Sequence, residues 1–439
     1  TMRPVVMDLR AHAGKSIFIR VVDEHTGGYG HVNFDDFRFY AKRPRFANAV
    51  QPPKPLVFEK PLLEGATAGV AAKAMKLPPG FRAIASAAEP DVMQPIAFTL
   101  DHRGRMWVAE AYSYPHRQPA DKARDRIIIL EDTNGDHKFD QRKVFIEGLN
   151  LVSGLEVGFG GVWVGAAPNF MFIPDRDSDD RPDGKPQILL DGWGYQDTHE
   201  TLNSFIWGPD GWLYAAQGST VSAKVRRPGF DEKEILSMGQ NIWRYHPGTR
   251  RYEVFAEGGG NAFGVEFDAQ GRVFSGHNGG DTRGFHYVQG GYLRKGFTKH
   301  GPLSNPYAFG YFNSMPHNKV PRFTHNFIVY EGVGLPEKFL GKILGVEPLQ
   351  GRVVMSDRTV IGSSFKTLDT GHPIKSSDSW FRPVDIKAGP DGAIYVCDWY
   401  DDQVNHYRNH EGRIDPQNGR VYRLRAKGSQ PVQPFDLAK

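Results

Sequence analysis

The stretch SFIWGPDGWLYAAQG, Ser204 to Gly218, decides how this chain folds. Two short apolar runs, rich in aromatic residues, flank a Gly-Pro-Asp-Gly turn. Pro presets one backbone angle of a chain reversal, and Gly and Asp tolerate the others. The pattern spells a tight β-hairpin.

The chain writes the same phrase six times. Four variants are plain: QPIAFTLDHRGRMWVAEAY from Gln94, FGVEFDAQGRVFSGHNGG from Phe263, ILGVEPLQGRVVMSDR from Ile343 and RPVDIKAGPDGAIYVCDWY from Arg382. A shorter copy, SGLEVGFGGVWVGAAPN, starts at Ser153. Hairpins recurring at intervals of roughly 40 to 80 residues point to radial repetition of one sheet unit. The expected fold is all-β, a six-bladed β-propeller. Strand-like runs follow each hairpin, RIIILED (Arg126 to Asp132) and KVFIEGL (Lys143 to Leu149) after the first. That makes four strands per blade. The last copy is followed only by GRVYRLR, Gly419 to Arg425, so PGFRAIASAAE, Pro79 to Glu89, is the strand that completes the last blade and closes the ring.

Upstream of the propeller, residues 1–45 read as three strands of a β-sandwich, RPVVMDL, SIFIRVVDE and HVNFDDFRFY. Three strands are too few for a sandwich alone, which implies a truncated domain. They resemble the closing strands of a galactose-binding-like sandwich. Residues 46–78 are a Pro-rich linker with a short helix over Leu62 to Met75, residues 79–427 the propeller, and 428–439 a tail.

The totals narrow the function classes. A net charge of +4 over 439 residues is too mild for a nucleic-acid partner. No apolar run approaches ~18 residues, so this segment spans no membrane as a helix. The lone Cys397 forms no internal disulfide and reads as a small core residue. There is no GxGxxG fingerprint and no P-loop, which argues against nicotinamide and nucleotide chemistry.

Blade connectivity sorts the loops by face. The turns DHRG, GPDG and DAQG share one face with DTNGDHKFD and DRDSDDRPDG. The opposite face carries polar and aromatic loops, among them AYSYPHRQ, GYQDTHETLN, GGGNAF, HNGGDTRGFHY and DWYDDQVNHYRNH. Chemistry belongs there.

Two acidic loops alternate oxygen ligands in a way that suits Ca²⁺. Asp132, Asn134, Asp136 and Asp140 stand at positions one, three, five and nine; Asp175, Asp177, Asp179 and Asp183 repeat the spacing. Both lack the Glu at position twelve of an EF-hand, having Lys143 and Pro186 there. A solvated acidic turn is the alternative. On the opposite face, His199 lies just before an innermost strand, accompanied by Asp197, Glu200 and Asn203. An imidazole beside a carboxylate is a natural base for an alcohol proton. His277, Arg283 and His286 come from the next blade, and Arg382, Asp385, Asp398, His406 and His410 from the last. An Arg near the base would stabilise developing negative charge. His277, His286, His406 and His410 are also candidates to meet on the axis as metal ligands, although no pair has HxxxH or HExxH spacing.

The runs DTHETLNSFIWGPDGWLY, HYVQGGYLRKGF and RPVDIKAGPDGAIYVCDWY resemble the PVC-type membrane-bound dehydrogenase-like propellers, over about Pro79 to Arg425. That family resembles in turn the soluble quinoprotein glucose and sorbosone dehydrogenases, which bind pyrroloquinoline quinone (PQQ). The resemblance implies a sugar or alcohol dehydrogenase, periplasmic or on the cell surface, passing electrons to a c-type cytochrome domain of a longer protein. It implies His199 as base, with Asp197 and Arg283 beside it, and Asn203, Asn261, His277, Arg382 and Asp398 around the cofactor. The family motif Gly-His-Arg-Asn-Pro matches Gly258, Gly259, Gly260, Asn261 and Ala262, so the quinone-binding Arg is replaced by Gly260. Arg283 is its substitute from a neighbouring loop. The rival readings are a carbohydrate hydrolase or lyase on the same face, and a non-catalytic carbohydrate-binding propeller.

Overall fold

The computed structural model describes residues 4–17, 36–46, 65–219, 221–277, 281–295, 311–320, 326–402, 414–429 and 432. The chain divides into two compact units, Thr1–Leu63 and Glu64–Lys439. In the first, the described residues hold a single 3-10 turn, Arg10–His12, with Arg10 donating to Asp8. Of the three expected sandwich strands, residues 4–9 of the first, 16–17 of the second and 36–40 of the third are described and form no strand, a single bridge residue at Val5 apart; the rest of the three and residues 47–64 of the linker lie outside the described residues.

The second unit is a six-bladed propeller. Blade 1 pairs Pro95–Leu100, Met106–Glu110, Asp125–Glu131 and Gln141–Leu149 in order. Blade 3 does the same with Leu202–Trp207, Leu213–Gln217, Asn241–His246 and Arg251–Glu257. In blade 6 the order runs Pro383–Ala388, Ile394–Asp398, Arg420–Ala426 and finally Phe81–Ala88, so the strand before the first repeat closes the ring. Blade 4 shows three strands among the described residues, Ala262–Phe267, Val273–His277 and Phe285–Tyr287.

Each blade has two buried faces, and this explains the unbroken apolar runs. In Ile127-Ile128-Ile129-Leu130, Ile127 and Ile129 pack with Leu155 and Val164 of blade 2, while Ile128 and Leu130 pack with Val421 and Cys397 of blade 6. A strand covered on both sides has no reason to alternate apolar with polar residues. Six apolar clusters result, one between each pair of neighbouring blades.

The repeated turn residues have a structural task. Asp210 accepts from Tyr214 Oη (2.8 Å) and Arg244 (3.2 Å). Asp391 repeats this with Tyr395 (3.2 Å) and Arg423 (2.6 Å). The last turn residue, Gly211 or Gly392, has φ of 79° or 76°, a conformation that favours glycine.

Three features depart from the sequence reading. In blade 5 the innermost strand is Phe327–Val329, and Ile343–Glu347 is the second, so ILGVEPLQGRVVMSDR forms the second and third strands rather than the first two. A hairpin within blade 3's connection, Ala223–Arg226 and Ile235–Ser237, joins the outer edge of blade 2, whose own strands are Val152–Val157, Gly161–Ala166, Asn169–Pro174 and Gln187–Trp193. The helix covers Ala68–Ala74, and the Met75–Lys76 strand after it pairs with Ser364–Ser376 at the outer edge of blade 5.

Candidate functional site

Inner strands of all six blades start at the same end of the axis, the mouth. The residue before each strand and the loops between second and third strands gather there. Blade 3 enters through a 3-10 turn, Thr198–Glu200, whose N-cap is Asp197. The Asp197 carboxylate accepts from the His199 backbone N–H (3.2 Å), and its Oδ1 lies 3.7 Å from His199 Nδ1. Asp197 is buried, whereas the His199 side chain keeps 23% of its surface exposed. At 3.7 Å the carboxylate lies beside the Nδ1 edge of the ring rather than hydrogen-bonded to it.

Tyr114, from the blade 1 loop, completes this group. Its Oη lies 3.3 Å from Nδ1 and 3.2 Å from Nε2 of His199, with the rings edge to face at 5.7 Å. On its other side Trp399 of blade 6 approaches edge to face at 5.6 Å. Burial, and then the charge of Asp197, push the Tyr114 phenol above its ordinary range, so it stays an O–H donor. Thr198 donates to the Pro115 carbonyl (2.6 Å) and binds the two loops together. Sequence reasoning locates both loops but singles out neither Tyr114 nor Trp399; the aromatic residues in AYSYPHRQ and DWYDD are the available signal.

The opposite side of the mouth is closed. His277 Nδ1 accepts from the Asn261 backbone N–H (3.0 Å), and a Cβ added at Gly260 would sit 1.6 Å from that same nitrogen. His277 therefore fills the space of any side chain at position 260. The Asn261 side chain accepts from the Ser219 N–H (2.8 Å). Asn203 donates to the carbonyls of Thr201 (3.1 Å) and Ala262 (3.3 Å), stitching blade 3 to blade 4.

Arg283 differs from the expectation of a free cation. It is fully buried, bonded through Nε to Asp369 (3.0 Å) and through its other nitrogens to Asp369 and Glu347. Burial opposes its charge, but Asp369 and Glu347 outweigh that and raise its pKa. With its charge balanced by two carboxylates, it does not serve an external anion. The expected axial histidines also separate. His286 stacks on Phe274 at 5.1 Å, against the cluster between blades 4 and 5, whereas His277 lies by Phe285 (5.5 Å), on the side of blade 3. His406, His410 and the Glu200 side chain lie outside the described residues.

Arg382 and Asp398 stand side by side in blade 6. Asp398 Oδ1 accepts from the N–H groups of Arg382 (2.7 Å) and Tyr400 (3.0 Å), while Oδ2 is buried without a partner. Burial, tempered by those two N–H groups, pushes the Asp398 carboxyl up to about 7. Arg382 donates to the carbonyls of Phe381 (3.2 Å) and Asp402 (2.8 Å), and its Nε is buried unpartnered. An orphaned guanidinium N–H is costly unless something accepts from it.

Below the mouth the channel is charged, a feature of which the sequence reading singles out only Asp385. Glu156, Glu266 and Lys387 are each the fifth residue of an inner strand, and Asp385 is the third of its own. Glu156 accepts from Thr99 (2.6 Å), and Asp385 from the Phe98 N–H (3.1 Å). Burial lifts Glu266 to about 8. Burial opposes the Lys387 charge, but Asp385, Glu156 and Glu266 raise its pKa.

The two acidic loops lie on the far face, as their place between third and fourth strands requires. In the first, Asp132 accepts from Gly135 and His137 N–H groups (2.8 Å each), Asn134 from Asp136, and Asp140 from Thr133 and Asn134. In the second, Asp175, Asp177 and Asp179 bring carboxylate oxygens within 4.8 Å of one another, and Asp183 accepts from the Arg176 N–H (2.6 Å).

Solved structures share this architecture. A glucose dehydrogenase-type oxidoreductase from Thermus thermophilus matches with a TM-score of 0.53 and 17% identity, over 79% of this chain and 100% of its own. The PQQ domain of Coprinopsis cinerea pyranose dehydrogenase, in holo form, gives 0.50 and 13%, over 80% and 97%. A Trichoderma reesei carbohydrate-active enzyme of family AA12 gives 0.53 and 12%, over 84% and 100%. At these identities the likeness is one of fold. No curated protein matches. A family model matches residues 68–428, nearly the whole propeller unit. The chain therefore belongs to the family described as "Domain of unknown function (DUF7133)".

Proposed function

We propose that this chain is a quinoprotein-type dehydrogenase that oxidises a sugar or another alcohol at the His199 side of the mouth. The observation that carries the reading is the partly exposed His199 imidazole held by the buried Asp197 and by Tyr114. The substrate hydroxyl would give its proton to the His199 imidazole, Asp197 would stabilise the imidazolium that forms, and Tyr114, within hydrogen-bond reach of the ring, would orient it. Tyr114, half-buried and packed edge to face on the buried Trp399, would offer aromatic surface to the less polar side of a sugar ring. One of the solved structures with this fold is the PQQ domain of a pyranose dehydrogenase, which supports the choice of chemistry. The family Arg has no counterpart at Gly260, but the orphaned Nε of Arg382 suits one of the carboxylates of PQQ, and Arg382 would hold it. PQQ, when bound, supplies the hydride acceptor. The PVC-type resemblance extends the proposal to a c-type cytochrome domain as electron acceptor and to a periplasmic or cell-surface site.

The test is dye reduction by the purified chain with PQQ, Ca²⁺ and a panel of sugars. Turnover that falls by about 10²- to 10⁴-fold in His199→Asn, with PQQ still bound, supports the proposal. No dye reduction together with no change in quinone absorbance overturns it.

The closed half of the mouth favours a second reading, a carbohydrate-binding propeller without catalysis. His277 fills the quinone-Arg space and Arg283 is already balanced by carboxylates. Under that reading sugar affinity survives His199→Ala and no acceptor yields turnover.

A further inference from the structure

The loop between the third and fourth strands of blade 2 plays no part in the mouth. Its oxygens are arranged differently from those of its sequence twin in blade 1. Asp175, Asp177 and Asp179 converge within 4.8 Å, the only such cluster among the described residues, whereas Asp132, Asp136 and Asp140 do not converge. Asp175 is only 7% exposed, and its Oδ1 has no hydrogen-bond partner. Three cations nearby are engaged elsewhere. Arg105 holds both oxygens of Asp180 (2.8 Å each), and Lys143 donates to the Asp179 carbonyl (2.6 Å). Arg176 reaches Asp183 (3.9 Å), and no ion pair reaches Asp175, Asp177 or Asp179 among the described residues. A buried carboxylate oxygen without a donor, facing two further carboxylates, is an anionic site without its counter-charge.

We propose that Asp175, Asp177 and Asp179 form a binding site for one Ca²⁺ ion, which fastens the outer hairpin of blade 2. Three hard oxygen donors at alternate positions of a loop match calcium, which accepts irregular geometry and completes its shell with water and carbonyls. Mg²⁺ requires a stricter octahedron and binds more weakly in such a loop. Without a bidentate Glu at position twelve, affinity falls in the weak range, on the order of 10⁻⁴ M.

Calorimetric titration of the EDTA-treated chain with CaCl₂, in the absence of quinone, tests this. One Ca²⁺ per chain is expected, with MgCl₂ at least about tenfold weaker. The paired exposed substitutions Asp177→Asn and Asp179→Asn remove binding, and Asp136→Asn in the twin loop retains it. With about 1 mM Ca²⁺, the melting temperature of the wild type rises by about 1–3 °C and that of the paired variant does not. Absent binding, binding that survives the paired substitution, or equal affinity for Mg²⁺ overturns the assignment.

Discussion

The two halves of the propeller mouth are built from the same kinds of residue and behave in opposite ways. On one half, His199 keeps part of its ring exposed, with Asp197 and Tyr114 beside it. On the other, His277, Asn261 and Arg283 are buried, each bonded to groups within the protein. A histidine, an amide or an arginine at the mouth reads the same in sequence on either half. What separates a ligand-facing group from a structural one is whether the fold already supplies its partner.

The comparison makes its strongest claim at Arg283. Replacing it with Met leaves Glu347 and Asp369 without their shared cation, and stability should fall by about 3–5 kcal/mol in urea denaturation. Gly260→Ala comes next. Its Cβ collides with His277, so a loss of about 1–3 kcal/mol is expected, partly recovered when His277→Ala is added. If Gly260→Ala were neutral, the closed half would be open after all.

The channel beneath gives a pH-dependent version of the same contrast. Glu266 is raised to about 8 by burial, so between its unfolded value near 4.5 and about 8 the folded chain holds a proton that the unfolded chain has lost. Stability contributed by this group is therefore present at about pH 4 and declines as pH rises through that window. Glu266→Gln should match the wild type near pH 4 and gain on it by up to about 1.4 kcal/mol for each pH unit between about 5 and 8. The smallest expected effect is His199→Ala, about 1 kcal/mol or less, because the partly exposed ring loses only its Tyr114 contact and its neighbour Asp197. A cost as large as that of Arg283→Met would erase the distinction between the halves.

Much of this architecture is legible in the sequence because the rules that generate it are local. Repeated Gly-turn hairpins announce blades, and continuous runs such as Ile127 to Leu130 announce strands with two buried faces. The missing strand of blade 6 is identifiable by counting. Blade 5 reads out of frame because Phe327–Val329 is too short to register, while the Gly351 turn mimics the one between inner strands. The base His199 is visible from its place before an inner strand, but Tyr114 reaches it from a different blade. Arg283 misleads for the same reason: its partners Glu347 and Asp369 lie in blade 5, distant in sequence. Local pattern does not carry that information. The channel charges are hidden too, since Glu156, Glu266 and Lys387 face one another only once the ring is closed.

Ring closure has a consequence for how the chain is made. Phe81 pairs with Ala426 and Ala88 with Arg420, so the first strand of the propeller waits for the last. Until Arg420–Ala426 leaves the ribosome, the face of blade 1 formed by Phe98, Met106, Val108, Ile128 and Leu130 has no blade 6 to cover it. The nascent chain thus carries an apolar sheet face and an unpaired strand until the last strand of the propeller is made, the state in which large β proteins aggregate. Its window of vulnerability is set by translation time rather than by the stability of the finished ring.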